Sequence, residues 1–195
     1  MSNTNGSGGT LTGKTDDGIT WTYTGGILNG RKHGKGKIVW SDSLSYEGDF
    51  VEDKFHGKGK FTYPGGAVYE GDWVKSKRTG KGKMTFPEGA AYEGDWVEEN
   101  FHGKGKFSWP DGGVYEGDWV NGLKHGKGKL TMANGIVYEG DFVDDNFHGK
   151  GKMSYPDGGV YEGDWVNGTQ TGKGNLTFPD GTVYKGDFVN GKPVS

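Results

Sequence analysis

Residues 114–135 read VYEGDWVNGLKHGKGKLTMANG, and nearly everything else in the chain is a variation on this stretch. Read from its tyrosine, it gives a strand YEGDW, a polar turn, a GKGK lead into a second strand, an apolar tail and a closing NG. Tyrosines stand at Tyr23, Tyr46, Tyr69, Tyr92, Tyr115, Tyr138, Tyr161 and Tyr184, a constant spacing of 23 residues. A short fixed period marks a repeat architecture in which each unit buries its apolar face only against its neighbours. The length of 195 residues therefore does not translate into a count of globular domains.

Within the unit the polarity alternates with the period of a strand. Tyr115, Gly117 and Trp119 fall on one face, and Glu116, Asp118 and Val120 on the other. In the second half Gly126, Gly128, Leu130 and Met132 share a face, with Lys127, Lys129 and Thr131 opposite. Two such runs joined by turn residues read as a β-hairpin. Glycine recurs too often in each half for a helix. The glycine between Tyr and Trp lets both rings lie down across the strand. The positions occupied by Ile38, Phe61, Met84, Phe107, Leu130, Met153 and Leu176, and two residues later by Trp40, Tyr63, Phe86, Trp109, Met132, Tyr155 and Phe178, extend an aromatic face that reads mainly as core.

The opposite face is a charge ladder. Glu and Asp at the two polar positions of YEGDW supply thirteen carboxylates, and the lysines of GKGK supply thirteen ammoniums. Cross-strand pairing would occupy these lysines, each exposed pair contributing a few tenths to about 1 kcal/mol. A net charge of -3 gives no general attraction to nucleic acid. There is no cysteine, no apolar signal core in MSNTNGSGG and no long apolar run, so the expectation is a cytoplasmic protein in which the sequons at Asn5, Asn167 and Asn175 go unused.

Residues 1–17 are small and polar and are expected to form a flexible arm, with the array occupying 18–195 as about seven full repeats and a truncated last one. Gly8–Thr15 reads GGTLTGKT, a formal match to a phosphate-binding loop, but that chemistry needs a buried strand before it and a helix after it. MSNTN and DDGITWTY supply neither. Trp21 is the expected capping ring of the first repeat.

YEGDW followed by HGKGK and an apolar tail ending in PDG resembles the MORN repeat, the membrane occupation and recognition nexus motif, over Tyr23 to Ser195. The resemblance implies an all-β fold, an elongated single-layer twisted antiparallel sheet with one hairpin per repeat. It also implies a scaffold at membranes or cytoskeleton, a groove for partner segments, or a phosphoinositide-binding surface. MORN repeats occur fused to lipid kinases and a lysine methyltransferase. No sequence here is left over for such a domain, so no enzyme activity and no cofactor are expected.

Finer features leave alternatives open. Repeats alternate with a 46-residue period: Glu52, Asp53, Phe55; Glu98, Glu99, Phe101; and Asp144, Asp145, Phe147 interleave with Arg31, Lys32; Lys75, Lys77, Arg78; and Lys124. Either acidic and basic turns neutralise one another, or Phe55, Phe101 and Phe147 form a row of anchors for an extended partner, joined by Tyr69, Trp73, Tyr92, Trp96, Tyr115 and Trp119 in the groove. The second functional reading is a peripheral module that binds anionic phospholipid through Lys75, Lys77, Arg78, Lys81, Lys83, Lys104 and Lys106. Histidines at His33, His56, His102, His125 and His148 lie roughly 10 Å apart along such a sheet, too far to share a metal ion, and read as turn or packing residues. An open array has edge strands at which a homodimer could form, and Lys185 breaks the acidic rule in the last of them.

Overall fold

The computed structural model describes residues 8–194, and among them the regular structure is entirely β. The strands fall into two compact units, 1–100 and 101–195. The first holds β1 (Gly8–Lys14), β2 (Thr20–Leu28), β3 (Arg31–Trp40), β4 (Ser45–Val51), β5 (Lys54–Thr62), β6 (Val68–Val74), β7 (Lys77–Thr85) and β8 (Ala91–Val97). The second holds β9 (Asn100–Ser108), β10 (Val114–Val120), β11 (Leu123–Thr131), β12 (Val137–Val143), β13 (Asn146–Ser154), β14 (Val160–Val166), β15 (Thr169–Thr177), β16 (Val183–Val189) and β17 (Lys192–Pro193). Within each unit every strand pairs antiparallel with its neighbours in sequence, giving the single-layer meander of 23-residue hairpins expected from the period.

The register aligns one glycine from each strand into a column. Gly117 stands opposite Gly105 on one side and Gly128 on the other, and the column continues through Gly140, Gly151, Gly163, Gly174 and Gly186. Each tyrosine ring lies down over this column. A Cβ on Gly117 would sit 2.5 Å from the Tyr115 hydroxyl oxygen and 2.6 Å from the Gly128 Cα. The absence of side chains is thus what lets a layer of rings bury itself on a bare backbone without a second sheet.

The other glycine of HGKG has a different cause. The pairing of β10 with β11 slips between Gly117 and Asp118, so that Asp118 faces His125 and Gly126 and Lys127 are left as extra residues on β11. Gly126 has φ +59, the left-handed conformation that a glycine bulge requires. The slip recurs in the hairpins β2–β3, β4–β5, β6–β7, β12–β13 and β14–β15. Hairpins close through two-residue turns in which both residues have positive φ, such as Asn121 (50°) and Gly122 (85°). Four of these turns use no glycine: Glu52–Asp53, Lys75–Ser76, Glu98–Glu99 and Asp144–Asp145.

The N-terminal region departs from expectation. Gly8–Lys14 forms β1, seven residues in continuous register with β2, where the sequence reading places a flexible arm over 1–17; residues 1–7 lie outside the described part. The run lacks the charged alternation of the repeats, yet Leu11 opposite Tyr23 and Gly13 opposite Trp21 supply the same small and apolar face. The GGTLTGKT segment is therefore a strand followed by a turn, with no helix to complete a phosphate site. Trp21 does not cap the unit: its ring packs over Gly13 of β1, and the Lys32 ammonium sits 4.6 Å from its centroid.

Gly117→Ala is expected to lower stability by about 1–3 kcal/mol through overpacking, whereas Gly8→Ala, whose Cβ meets nothing within 4 Å, leaves the urea midpoint unchanged. Lys75→Asn, at φ 50°, raises the midpoint by relieving a left-handed lysine, worth roughly 0.5–1 kcal/mol.

Candidate functional site

The tyrosine of each repeat is the centre of a ring lattice. Tyr69 meets the Trp73 of its own repeat at 5.1 Å and 88°, and the Trp96 of the next at 5.0 Å and 82°. Both are the edge-to-face geometry that the ring quadrupole favours. Tyr46 repeats the pattern with Phe50 and Trp73, and Tyr138 with Phe142 and Trp165. Tyr69, Tyr92 and Tyr115 have no exposed surface, and Trp73, Trp96 and Trp119 keep 2–4%. These six residues, expected to line a partner groove, are core.

Each ring also holds the backbone. The Tyr115 hydroxyl donates to the Asp118 carbonyl at 2.9 Å, at the bulge itself. The indole N–H groups of Trp73, Trp96, Trp119 and Trp165 donate to the carbonyls of Gly59, Gly82, Gly105 and Gly151 at 3.0–3.1 Å. The tyrosine is consequently tied to its own repeat, and the tryptophan to the strand before it.

The 46-residue alternation has an intramolecular explanation. At the position two residues beyond the turn, Phe55 stacks on Tyr46 at 3.9 Å and 15°, and Phe147 on Tyr138 at 3.9 Å and 20°. In three of the four intervening repeats a cation takes that place, and in the last it is Gln170. Lys32 lies over Trp21, Arg78 is 4.7 Å from the Trp96 centroid, and Lys124 is 5.9 Å from that of Tyr115. Their side chains are only 13–17% exposed. A cation so covered needs a counter-charge, and the turn of the following repeat supplies it: Lys32 pairs with Asp53, Arg78 with Glu99, and Lys124 with Asp145. The same carboxylates accept the backbone amides of Lys32, Arg78 and Lys124, while the amides of Asp53, Glu99 and Asp145 donate back to the carbonyls of those residues. These bonds hold the left-handed turn residues in place. Phe55, Phe101 and Phe147 are therefore not a row of free anchors. Phe101 packs on Trp119 at 5.5 Å and on Phe107 at 6.1 Å.

The lysine face is largely an ion ladder. Lys104 pairs with Asp118 at 2.6 Å and Lys127 with Asp141 at 2.6 Å, and Lys81 with Asp95 in the same way. The second oxygen of Asp118 accepts the backbone amide of Lys127, so one carboxylate links the strand before it to the bulge after it. Lys83 and Lys77 stand 3.9 and 3.8 Å from Glu93 and Glu98. Lys106 is opposite Glu116, and Lys75 is an exposed turn residue. Burial pushes the Asp118 carboxyl up, but the Lys104 ammonium and the Lys127 amide outweigh it and hold it below its ordinary value; Asp72, Asp141 and Asp145 are depressed by the same balance. Burial, with Asp118 nearby, pushes the Tyr115 hydroxyl well above its ordinary range, and Tyr46, Tyr69 and Tyr138 likewise.

Apolar surface is left on the valines that end the YEGDW strands, Val51 to Val166, and on the outer aromatic row. Trp40, Tyr63 and Phe86 in the first unit and Trp109, Met132 and Tyr155 in the second are half-buried, and Phe178 is 40% exposed. Sequence reasoning placed these with the core because their period matches it. They differ by lying at or just past the strand ends, where the PDG-type turns leave one flank uncovered. No group of three or more His, Cys, Asp or Glu that could hold a metal ion occurs among the described residues. No helix among the described residues is long and apolar enough to cross a membrane.

The sequence profile of the MORN repeat matches eight consecutive segments, 23–45, 46–68, 69–91, 92–114, 115–137, 138–160, 161–183 and 184–194. Among solved structures the chain is similar to the TCP domain of SAS-4 (dCPAP) of Drosophila melanogaster in complex with a proline-rich motif of Ana2 (dSTIL). The identity is 16% and the TM-score 0.47, with 78% of this chain and 83% of that one covered. A mutant TCP10 domain of Danio rerio CPAP matches at 17% identity and a TM-score of 0.38, covering 92% and 89%. The G-box domain of the microcephaly protein CPAP matches at 9% identity and 0.44, covering 91% and 97%. No curated protein matches the chain significantly.

Trp73→Phe keeps a ring of the kind found naturally at Phe50 and Phe142 but forfeits the bond to Gly59, an expected loss of about 1 kcal/mol in denaturant melts. The pH profile of stability should fall at both ends. Aspartates depressed by the fold stabilise it above about pH 4 and cease to do so as pH drops through that range. Tyrosines whose pKa the fold raises stabilise it fully below about pH 10, and this is lost as pH climbs beyond, because the unfolded chain ionises first. Phenolate absorbance rising together with loss of the circular dichroism signal is the check.

Proposed function

The chain belongs to the MORN-repeat family, and from that premise we propose that it is a non-catalytic scaffold that holds an extended protein segment against its outer aromatic row. The observation that carries this reading is the division of the rings into two classes. Those of YEGDW are fully committed to the core, whereas the row from Trp40 to Phe86, and that from Trp109 to Phe178, keeps exposed surface. Half-exposed rings held in place by packing on one side, as Trp40 is on Phe55 and Trp109 on Phe107, are what a binding surface needs.

Spacing narrows the partner. Successive members of the row are one hairpin apart, two strands or about 10 Å. A segment in the polyproline conformation returns to the same face every three residues, about 9.3 Å, so its every third side chain meets a new ring. A β-strand segment laid across the row alternates at about 6.8 Å and falls out of step. The lysines, engaged with carboxylates, favour no comparable reading for a lipid surface.

Synthetic peptides with apolar residues at every third position should bind and quench tryptophan fluorescence, while peptides of the same composition alternating at every second position should not. Tyr63→Ser and Tyr155→Ser together should weaken that binding roughly tenfold or more with little change in melting temperature. Equal binding of both peptide classes, or indifference to the two substitutions, would sink the proposal. Phosphoinositide vesicles serve as the contrast, with no binding expected at physiological salt.

A further inference from the structure

Of the strands in the first unit, β1 is built unlike the others. From β3 onward the strands carry acidic or basic ladders; β1, GGTLTGK, carries a single charge at Lys14 and contains neither proline nor bulge. Among the described residues of its unit it is bonded on one side only, to β2. An edge strand is ordinarily protected by charge, by proline, by a bulge or by being short. At the other end of the described chain those devices are present: Lys185 and Asp187 on β16, and a two-residue β17 ending in Pro193.

The ladder fixes which groups of β1 point outward. The Thr15 amide donates to the Ile19 carbonyl, and Thr15 and Ile19 continue the register in which Lys14 faces Thr20. In an antiparallel pair hydrogen-bonded and non-hydrogen-bonded positions alternate. Hence Gly9, Leu11 and Gly13 bond to β2, while Gly8, Thr10, Thr12 and Lys14 turn their N–H and C=O groups outward.

We propose that β1 pairs antiparallel with β1 of a second copy of this chain, about a two-fold axis at Leu11. In this register the outward residues meet one another: Gly8 faces the second copy's Lys14, and Thr10 its Thr12. Leu11 faces itself at a non-hydrogen-bonded position, where opposed side chains approach most closely. The two lysines are placed opposite glycines, so no like charges face each other, and the threonine pairs are favourable across strands. Leu11 lies on the face of Tyr23, its partner in β2, so the rings of the two copies line one continuous surface. The register is self-complementary, as a two-fold contact requires. A shift by one residue would set outward groups against inward ones, and a shift by two would leave Gly8 or Lys14 unmatched at the end. The inference does not depend on the peptide reading given above.

The test is sedimentation velocity across a concentration series of the full chain. The wild type should show a monomer–dimer equilibrium. Thr10→Pro removes an outward amide while leaving every β1–β2 bond in place, and it should weaken the dimer roughly thirtyfold or more. Leu11→Lys opposes two ammoniums on the axis and should leave only monomer. Circular dichroism and melting temperature must match the wild type for both variants, and a variant that fails this check is replaced by Thr12→Pro. A wild type that stays monomeric throughout, or a dimer that both variants leave intact, overturns the assignment.

Discussion

A tyrosine ring lying flat across a pair of facing glycines is the interaction on which everything else depends. It forces the glycines into a column, since a methyl group there meets the ring oxygen and the backbone opposite. It also draws the chain into a bulge, because the hydroxyl reaches the carbonyl of the aspartate that follows the glycine. With the ring buried directly on the backbone, one layer of strands suffices to make a core. Most sheets need a second layer to do the same.

Once the rings are placed, the remaining choices are matters of covering them. The tryptophan or phenylalanine of each repeat packs edge-on against its own tyrosine and the one before. A third group lies on the open face, and it alternates between a phenylalanine and a cation until the repeat of Tyr161, where it is Gln170. The cation brings a requirement of its own, a carboxylate in the next turn, and that turn then tolerates left-handed acidic residues because their amides and carboxylates are bonded to the preceding repeat. A pattern that looks like two separate peculiarities, acidic turns and spaced phenylalanines, is therefore one packing solution spread over two repeats.

The same economy limits where function can reside. The most recognisable residues of the motif, Tyr, Trp, Asp and the GKGK lysines, are occupied with one another. Surface is left at the outer aromatic row and along the first strand, and both are places where the repeat unit runs out of neighbours. In a repeat protein the binding surfaces are those that stacking does not consume.

The period of 23, the hairpin and the family were fixed by the sequence alone, because a repeating pattern of rings, glycines and charges has only one way to keep one face buried in every copy. The ion ladder was legible for the same reason, as equal numbers of carboxylates and ammoniums on adjacent strands. Tertiary structure alone decided three things. It showed that Tyr69, Trp73 and their equivalents are sealed by rings of the adjacent repeats, that Phe55 and Phe147 stack on tyrosines of their own repeats, and that Gly8–Lys14 joins the sheet. Burial and stacking depend on which side chains the fold brings face to face, and a one-dimensional period says how often a ring recurs but not what comes to rest on it.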